Sequence, residues 1–412
     1  MQYGLLGKKL GHSFSKEIHD LIGDYGYELV EKAPEEVEDF IKNSGFKAIN
    51  VTIPYKETVM PFLDFISENA RMIGSVNTIV RKDGRLYGYN TDFIGFSSLL
   101  DNAGIDVQNK TVAILGTGGT CKTVYAVCKS RKAKEVFKVS RKPDEDCLSY
   151  VQLYEKRKDI SIIVNTTPCG MYPDNESFAV DIDSFENLEG VVDVIYNPLN
   201  TPLLQKAQKR GLKTSNGLYM LVSQAVAASQ LFFDRNYAEK LLPEVYGKIL
   251  SSKQNIVLCG MPGCGKTTVG SLLAKMTGRQ LVDTDREIVK IIETDISSYF
   301  EKYGEEAFRK VESQVIKEVS KRSGIIISTG GGAVLKSKNT DCLKQNGIIY
   351  FLDRPISQLV ATPDRPTANT NEKIRQRFEE RYPIYTSCAD EIINASGLPE
   401  EVAEEILRRN KR

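Results

Sequence analysis

Short apolar runs alternate with stretches of helical period along almost the whole chain, the pattern of an α/β protein with mostly parallel sheets. Residues 3–6, 47–53 and 76–81 predict strands, with helices over 15–22 and 34–42 between them. A second series opens at 111–115 and continues through 135–139, 161–164 and 191–195, each run followed by a turn and a helical pattern. One long helix is predicted over 217–233. Around 246–254 the sequence turns polar, and a fresh apolar run, 256–259, follows. Read as a linker, 246–254 separates an N-terminal part from a C-terminal part, 255–412, of a size suited to one α/β domain.

Composition narrows the class. With 41% hydrophobic and 26% charged residues and a formal net charge of +1, the chain reads as an ordinary soluble protein. Nucleic acid is a poor candidate partner, because no basic excess exists to meet a polyanion. No run approaches the roughly 20 apolar residues that span a bilayer, so no membrane partner is expected. The opening MQYGLLGKKLGHSFS lacks the apolar core of a signal peptide. The eight cysteines are scattered, without a C-x-x-C pair, and only His12 and His19 could join them around a metal. Reduced thiols and a cytoplasmic location are the expectation.

The sharpest chemical signal is Gly260-Met-Pro-Gly263-Cys264-Gly265-Lys266-Thr267. An apolar strand precedes it and a helical pattern follows. Glycines let that turn curl its N–H groups toward phosphate oxygens, Lys266 adds a charge, and the Thr267 hydroxyl is a ligand for Mg²⁺. Asp283 and Asp285 then stand at i and i+2 at the end of a short strand. One can support the metal shell while the other accepts from a substrate hydroxyl; alone, the pair reads equally as solvated acids. Beyond lie a charged helix carrying Arg309 and an apolar strand running into Gly330, Gly331 and Gly332. Such glycines mark either a close approach to a ligand or a flexible turn.

Together with Arg381-Tyr382-Pro383-Ile384-Tyr385, these motifs resemble the shikimate kinase family over essentially all of 255–412. The resemblance implies a P-loop, nucleoside-monophosphate-kinase-like α/β/α domain. Gly263, Cys264, Gly265, Lys266, Thr267 and Thr268 would bind ATP, and Arg365 would close over it from a lid at 361–372. Thr267 and Asp283 would serve Mg²⁺, with Lys266 catalytic. Asp285, Arg309, Gly331 and Arg381 would hold shikimate, the arginines suiting its carboxylate. The lid departs from the family in being short, with Thr367-Ala368 at usually apolar places.

In the N-terminal part, a strand runs into Gly116-Thr117-Gly118-Gly119-Thr120 and then a helical pattern, the opening of a dinucleotide-binding unit or simply a tight turn. The next strand ends in Ser140-Arg141-Lys142, where an NAD enzyme would place an acid; basic residues there suit the 2′-phosphate of NADP. Three polar clusters lie upstream, around Ser13 and Ser15, Thr52 and Lys56, and Asp92. Taken singly, the serines read as turn formers, Lys56 as a surface charge and Asp92 as a helix N-cap.

Jointly they resemble shikimate dehydrogenase, through H-S-x-S, N-V-T-x-P-x-K, G-x-V-N-T, Y-N-T-D-x-x-G, G-x-G-G, N-T-T-P-x-G-M, Y-N-P and N-G-L-x-M-L-x-x-Q-A over residues 1 to about 245. Cys121 and Lys122 depart mildly from that pattern. The resemblance implies a two-lobed dehydrogenase: a substrate lobe of 1–95 plus 214–245 and an inserted Rossmann-like NADP lobe, 96–213. Lys56 and Asp92 would be the acid/base pair. Ser13, Ser15 and Tyr196 would take a carboxylate, and Thr52, Asn77 and Gln224 ring hydroxyls. Gly116, Thr117, Gly118, Gly119, Thr120, Ser140, Arg141, Lys142 and Gly217 would hold NADP(H). A bifunctional enzyme follows, reducing 3-dehydroshikimate and phosphorylating the shikimate formed. The alternatives are a quinate/shikimate dehydrogenase using NAD, joined to the same kinase, and a regulator built from dead copies of both domains.

Overall fold

Three separate sheets collect the buried aliphatic residues, two in the unit Met1–Ile249 and one in the unit Leu250–Arg412. The structure, a computed structural model, describes residues 1–11, 13–359 and 371–410. His12 and Arg365 lie outside the described residues.

The first sheet contains β1 (Tyr3–Gly7), β2 (Tyr27–Glu31), β3 (Ala48–Val51), β4 (Phe65–Ile66), β5 (Thr78–Lys82) and β6 (Arg85–Tyr89), in the order 2-1-3-5-6-4. It is mixed rather than mostly parallel: β1 runs parallel to β2 and β3, but β5 pairs antiparallel with both β3 and β6. The β5–β6 pairing follows from the Asp83-Gly84 turn, where both residues have positive φ, 50° and 74°. A two-residue turn of that hand returns the chain at once as a hairpin.

The second sheet is wholly parallel, with β7 (Thr111–Leu115), β8 (Glu135–Val139), β9 (Cys147–Leu148), β10 (Ile162–Asn165), β11 (Gly190–Asp193) and β12 (Lys213–Ser215) in the order 12-11-10-7-8-9. Every residue of β7, β10 and β11 is buried, as expected of parallel strands covered on both faces. The third sheet, β13 (Asn255–Cys259), β14 (Leu281–Asp283), β15 (Ile326–Ser328), β16 (Gly347–Asp353) and β17 (Glu391–Asn394), is also parallel, in the order 14-15-13-16-17.

Two helices bring distant sequence to the first sheet. Leu218–Phe233 packs on Asp92–Asn102 closely enough that a Cβ on Gly95 would lie 2.7 Å from the Met220 carbonyl oxygen. Glycine there allows the backbones to touch, which carries Gln224 to the same place as Asp92. The stretch 246–254, expected as a linker, is largely helical: Leu241–Lys253 is one helix whose Val245 and Ile249 are buried, while Tyr246 meets Tyr219 edge-on. Its i, i+4, i+8 apolar stripe at Leu241, Val245 and Ile249 outweighs the surrounding polar residues.

His19 is a core residue. It is 1% exposed, stacks on Tyr27 at 3.8 Å and 7°, and its Nδ1 meets the Tyr25 hydroxyl. Burial pushes its pKa down to about 3, so the folded state holds it neutral. A depressed folded pKa contributes stability above the unfolded value near 6.5 and loses it as pH falls. Between pH 6.5 and 5 the N-terminal unit should therefore lose about 2 kcal/mol through His19. Hydrogen exchange of β1 and β3 amides, corrected for intrinsic rate, should show that slope in the full chain, and His19→Gln should flatten it.

Candidate active sites

The first site opens at the carboxyl ends of β1 and β3 as a cavity of about 310 Å³. Ser13, Ser15, Thr52, Lys56, Asn77, Asp92, Tyr196 and Gln224 all line it, so the sequence-predicted substrate set converges. Lys56 Nζ lies 2.6 Å from Asp92 Oδ2, with the two side chains 25% and 15% exposed. Asp92 is the first residue of its helix, and the preceding residue, Thr91, is the N-cap. The carboxylate is thus engaged with Lys56 and does not act as the helix N-cap. A lysine and a carboxylate this close, at the wall of a cavity, can hold and pass a proton.

Asn77 is oriented by its surroundings. Its Oδ1 faces three donors: the Thr91 N–H at 2.7 Å, the Thr91 hydroxyl at 3.2 Å and the Thr78 hydroxyl at 3.1 Å. That assignment leaves the Nδ2 donors for the cavity. The Thr91 hydroxyl also lies 3.4 Å from Gln224 Oε1, and Gln224 Nε2 donates to the Leu221 carbonyl at 2.9 Å. Asn50 and Lys9 line the cavity as well, and sequence reasoning gave neither a role. Asn50 Oδ1 accepts from the Tyr27 hydroxyl at 2.8 Å while its Nδ2 donates to Thr78 at 3.1 Å. Its place in N-V-T, beside Thr52, was the available signal.

Tyr196 reaches the cavity from the loop after β11, its ring against Phe14 at 5.2 Å. Asp193 braces that loop. Fully buried, it accepts from Thr201 Oγ1 at 2.7 Å, Asn165 Nδ2 at 3.0 Å and the Ile195 N–H at 3.1 Å. Burial lifts its carboxyl to about 6 against the pull of those donors. The loop also accepts the Gly217 N–H at the Ile195 carbonyl, 3.0 Å away, which fixes the start of the Leu218–Phe233 helix.

The dinucleotide candidates gather at one edge of the second sheet. β7 and β8 are adjacent and parallel with Leu115 opposite Val139, so Gly116, Thr117, Gly118, Gly119 and Thr120 leave the sheet beside Ser140, Arg141 and Lys142. Gly119–Ser130 is a helix beginning in that turn, and its free N–H groups suit a pyrophosphate. Arg141 and Lys142 are exposed, and Ser140 Oγ accepts from the Lys142 N–H at 3.1 Å.

The second site is a cavity of about 980 Å³ at the carboxyl ends of β13, β14 and β15. Gly263, Gly265, Lys266, Thr267 and Thr268 form one wall, with Asp283, Asp285, Arg309, Gly331 and Arg381 among those facing them. Cys264, by contrast, is buried at 1% exposure, its side chain turned into the core beneath the loop. Lys266 Nζ donates to the Gly260 and Met261 carbonyls, both at 2.9 Å. Thr267 Oγ1 lies 3.1 Å from Asp283 Oδ2, and Asp283 Oδ1 caps the next helix at the Asp285 N–H, 3.1 Å away.

Arg309 is clamped. Its Nη1 lies 2.7 Å from Glu312 and its Nη2 3.0 Å from Glu305. Glu312 is 1% exposed; burial raises its carboxyl above the usual range, and the Arg309 guanidinium opposes this. Arg381, also buried, donates to the Gly331 carbonyl at 3.2 Å. The three glycines are there for contact: a Cβ on Gly332 would sit 2.2 Å from Arg309 Nη1, and one on Gly330 2.4 Å from Asp285 Oδ1. Two guanidinium groups beside a carboxylate acceptor, opposite a phosphate cradle, suit phosphoryl transfer to a small acidic alcohol.

Among the described residues no group of three or more His, Cys, Asp or Glu is placed to hold a metal, and no helix is long and apolar enough to cross a membrane.

Comparison with known proteins gives a family for each part of the chain. The family model for the shikimate dehydrogenase substrate binding domain matches residues 5–79, and that for shikimate kinase matches 262–411. A shikimate dehydrogenase (NADP(+)) of Clostridium perfringens is 39% identical over 265 residues, 60% of this chain and 97% of the relative. A chorismate mutase/shikimate 5-dehydrogenase fusion protein from Clostridium acetobutylicum superposes with a TM-score of 0.57 at 39% identity, over 60% of this chain and 96% of that one. Shikimate 5-dehydrogenase from Thermus thermophilus, solved in complex with NADP(H) and shikimate, gives 0.54 at 28% identity, over 60% and 99%.

Gly332→Ala should displace Arg309 from its clamp and cost a charged hydrogen bond. Steady-state kinetics should then show the KM for shikimate rising at least about tenfold with the KM for ATP nearly unchanged, a magnitude set by charge-assisted hydrogen bonds.

Proposed function

The chain belongs to the shikimate dehydrogenase family through its N-terminal unit and carries a shikimate kinase domain behind it, and on that premise we propose how its residues divide two successive steps. The first reduces 3-dehydroshikimate to shikimate with NADPH. The second phosphorylates shikimate with ATP to shikimate 3-phosphate.

The observation that carries the first assignment is the Lys56–Asp92 pair, 2.6 Å apart in a cavity that also presents Ser13, Ser15 and Tyr196. When bound, a reduced nicotinamide would supply the hydride for the ketone carbon. The chain supplies the rest. Lys56 gives the proton to the forming alkoxide, and Asp92, 2.6 Å away, keeps the lysine aimed. Ser13, Ser15 and Tyr196 anchor the ring carboxylate, while Thr52, Asn77 and Gln224 read ring oxygens. Gly217 stands near the nicotinamide. Ser140, Arg141 and Lys142 meet the 2′-phosphate, which favours NADP over NAD.

In the second site, Gly263, Gly265, Lys266, Thr267 and Thr268 hold the ATP phosphates, Arg309 and Arg381 the shikimate carboxylate, and Asp285 the hydroxyl that attacks. Mg²⁺ fits the donor set of Thr267 and Asp283, two hard oxygens 3.1 Å apart at the mouth of the loop. So few protein ligands suit a cation that keeps several waters and binds phosphate; when bound it neutralises phosphate charge.

A spectrophotometric assay with 3-dehydroshikimate and NADPH, followed by MgATP, tests the sequence of events: NADPH loss should precede and be required for ADP release. Lys56→Ala should slow reduction at least about 100-fold while added shikimate is phosphorylated at the wild-type rate. Loss of both activities in a folded protein would contradict separate sites. Arg141→Ala should narrow the kcat/KM preference for NADPH over NADH by about tenfold, the scale of one charge-assisted contact.

A further inference from the structure

Arg354 follows the last residue of β16. β16 lies beside β13, with Cys259 opposite Phe351, so its carboxyl end runs along the first turn of the phosphate loop. The Leu352 carbonyl oxygen is 3.0 Å from where a Cβ on Gly260 would stand. Two residues on, Arg354 Nη1 is 3.7 Å from the corresponding position on Gly265, the residue that caps the helix Lys266–Thr277.

The side chain is half-buried, and its Nε is fully buried without a hydrogen-bond partner among the described residues. Its neighbour Asp353 gives it no counter-charge: that carboxylate accepts the Tyr382 hydroxyl at 3.1 Å, and among the described residues no ion pair joins it to Arg354. A guanidinium cannot shed its charge, and a partly desolvated cation without a partner is costly. Here it stands against Gly265, at the turn of the loop whose N–H groups suit phosphate oxygens. Lys266 is spoken for by two loop carbonyls in this state.

We propose that Arg354 is a ligand of the nucleotide's phosphate chain, a second cation at the phosphate loop besides Lys266. It approaches from the β16 side at Gly265 and offers a planar fork of donors where Lys266 offers a point charge. The contact rests on the kinase reading of this site and adds a specific demand to it: affinity for polyphosphate should depend on Arg354 whatever base the nucleotide carries.

The test uses the full chain with Arg354→Gln and Arg354→Lys. Calorimetric titration with inorganic tripolyphosphate and Mg²⁺, and with adenosine, separates phosphate from base. R354Q should weaken tripolyphosphate binding about tenfold or more, R354K only a few-fold, and neither should change adenosine binding; the magnitude is that of a charge-assisted hydrogen bond. The KM for ATP should rise in parallel while the KM for shikimate stays put. Unchanged tripolyphosphate affinity in R354Q, or a loss confined to adenosine, overturns the proposal. Should R354Q fail to fold, R354K decides alone: unchanged affinity overturns the proposal and a several-fold loss supports it. If the wild type binds tripolyphosphate in an Arg354-dependent way yet never phosphorylates shikimate, the kinase reading fails and this one stands.

Discussion

Parallel strands all finish at the same edge, and the helices that follow them begin there, so unpaired backbone N–H groups and the positive ends of helix dipoles accumulate on one side of a sheet. This constraint organises the whole chain. Ser13 and Ser15 follow β1, Thr52 and Lys56 follow β3, the Gly116–Gly119 turn follows β7 and Ser140 follows β8. In the third sheet the phosphate loop follows β13, Asp283 ends β14, the three glycines follow β15 and Arg354 follows β16. The candidate site residues of both units stand where the fold already concentrates donors.

Side chains are held differently in the two sites. In the first, buried amides and hydroxyls are locked by one another before any ligand arrives: Asn77, Thr78, Thr91, Asn50 and Tyr27 form a continuous hydrogen-bonded chain behind the cavity. In the second, charges are locked by opposite charges, with Arg309 between Glu305 and Glu312. A network of neutral groups fixes directions, whereas an ion-pair clamp fixes a position. The cost of the clamp falls on Glu312, which burial would rather see neutral.

Much of this was legible from residue order alone. Strand-to-turn-to-helix transitions at Gly116 and Gly260 put both nucleotide cradles in the right context, and the strands at Thr111–Leu115 and Glu135–Val139 appear where the apolar runs placed them. The clustering of Lys56, Asp92 and Gln224 was legible only through motif resemblance, because it depends on two helices touching at Gly95. The Asp83-Gly84 hairpin carried a readable signal that the strand reading passed over. The helix through 246–254 was hidden because three apolar residues outweigh a polar majority. Arg354 and Asp193 were invisible for a different reason: one is conspicuous by a buried Nε without a partner among the described residues, the other by accepting from three donors, and neither state is written in the order of residues.

The locked amide of Asn77 has a stereochemical meaning. With its oxygen committed to Thr91 and Thr78, the side chain cannot turn over without setting its NH₂ against the Thr91 backbone N–H, a donor that cannot become an acceptor. The cavity wall therefore speaks in one polarity at that point, listening for lone pairs and deaf to protons. A ring oxygen bound there must turn its own hydrogen elsewhere, so its hydroxyl is oriented before any chemistry begins. In this way a buried threonine pair behind the cavity sets the polarity that Asn77 presents to it.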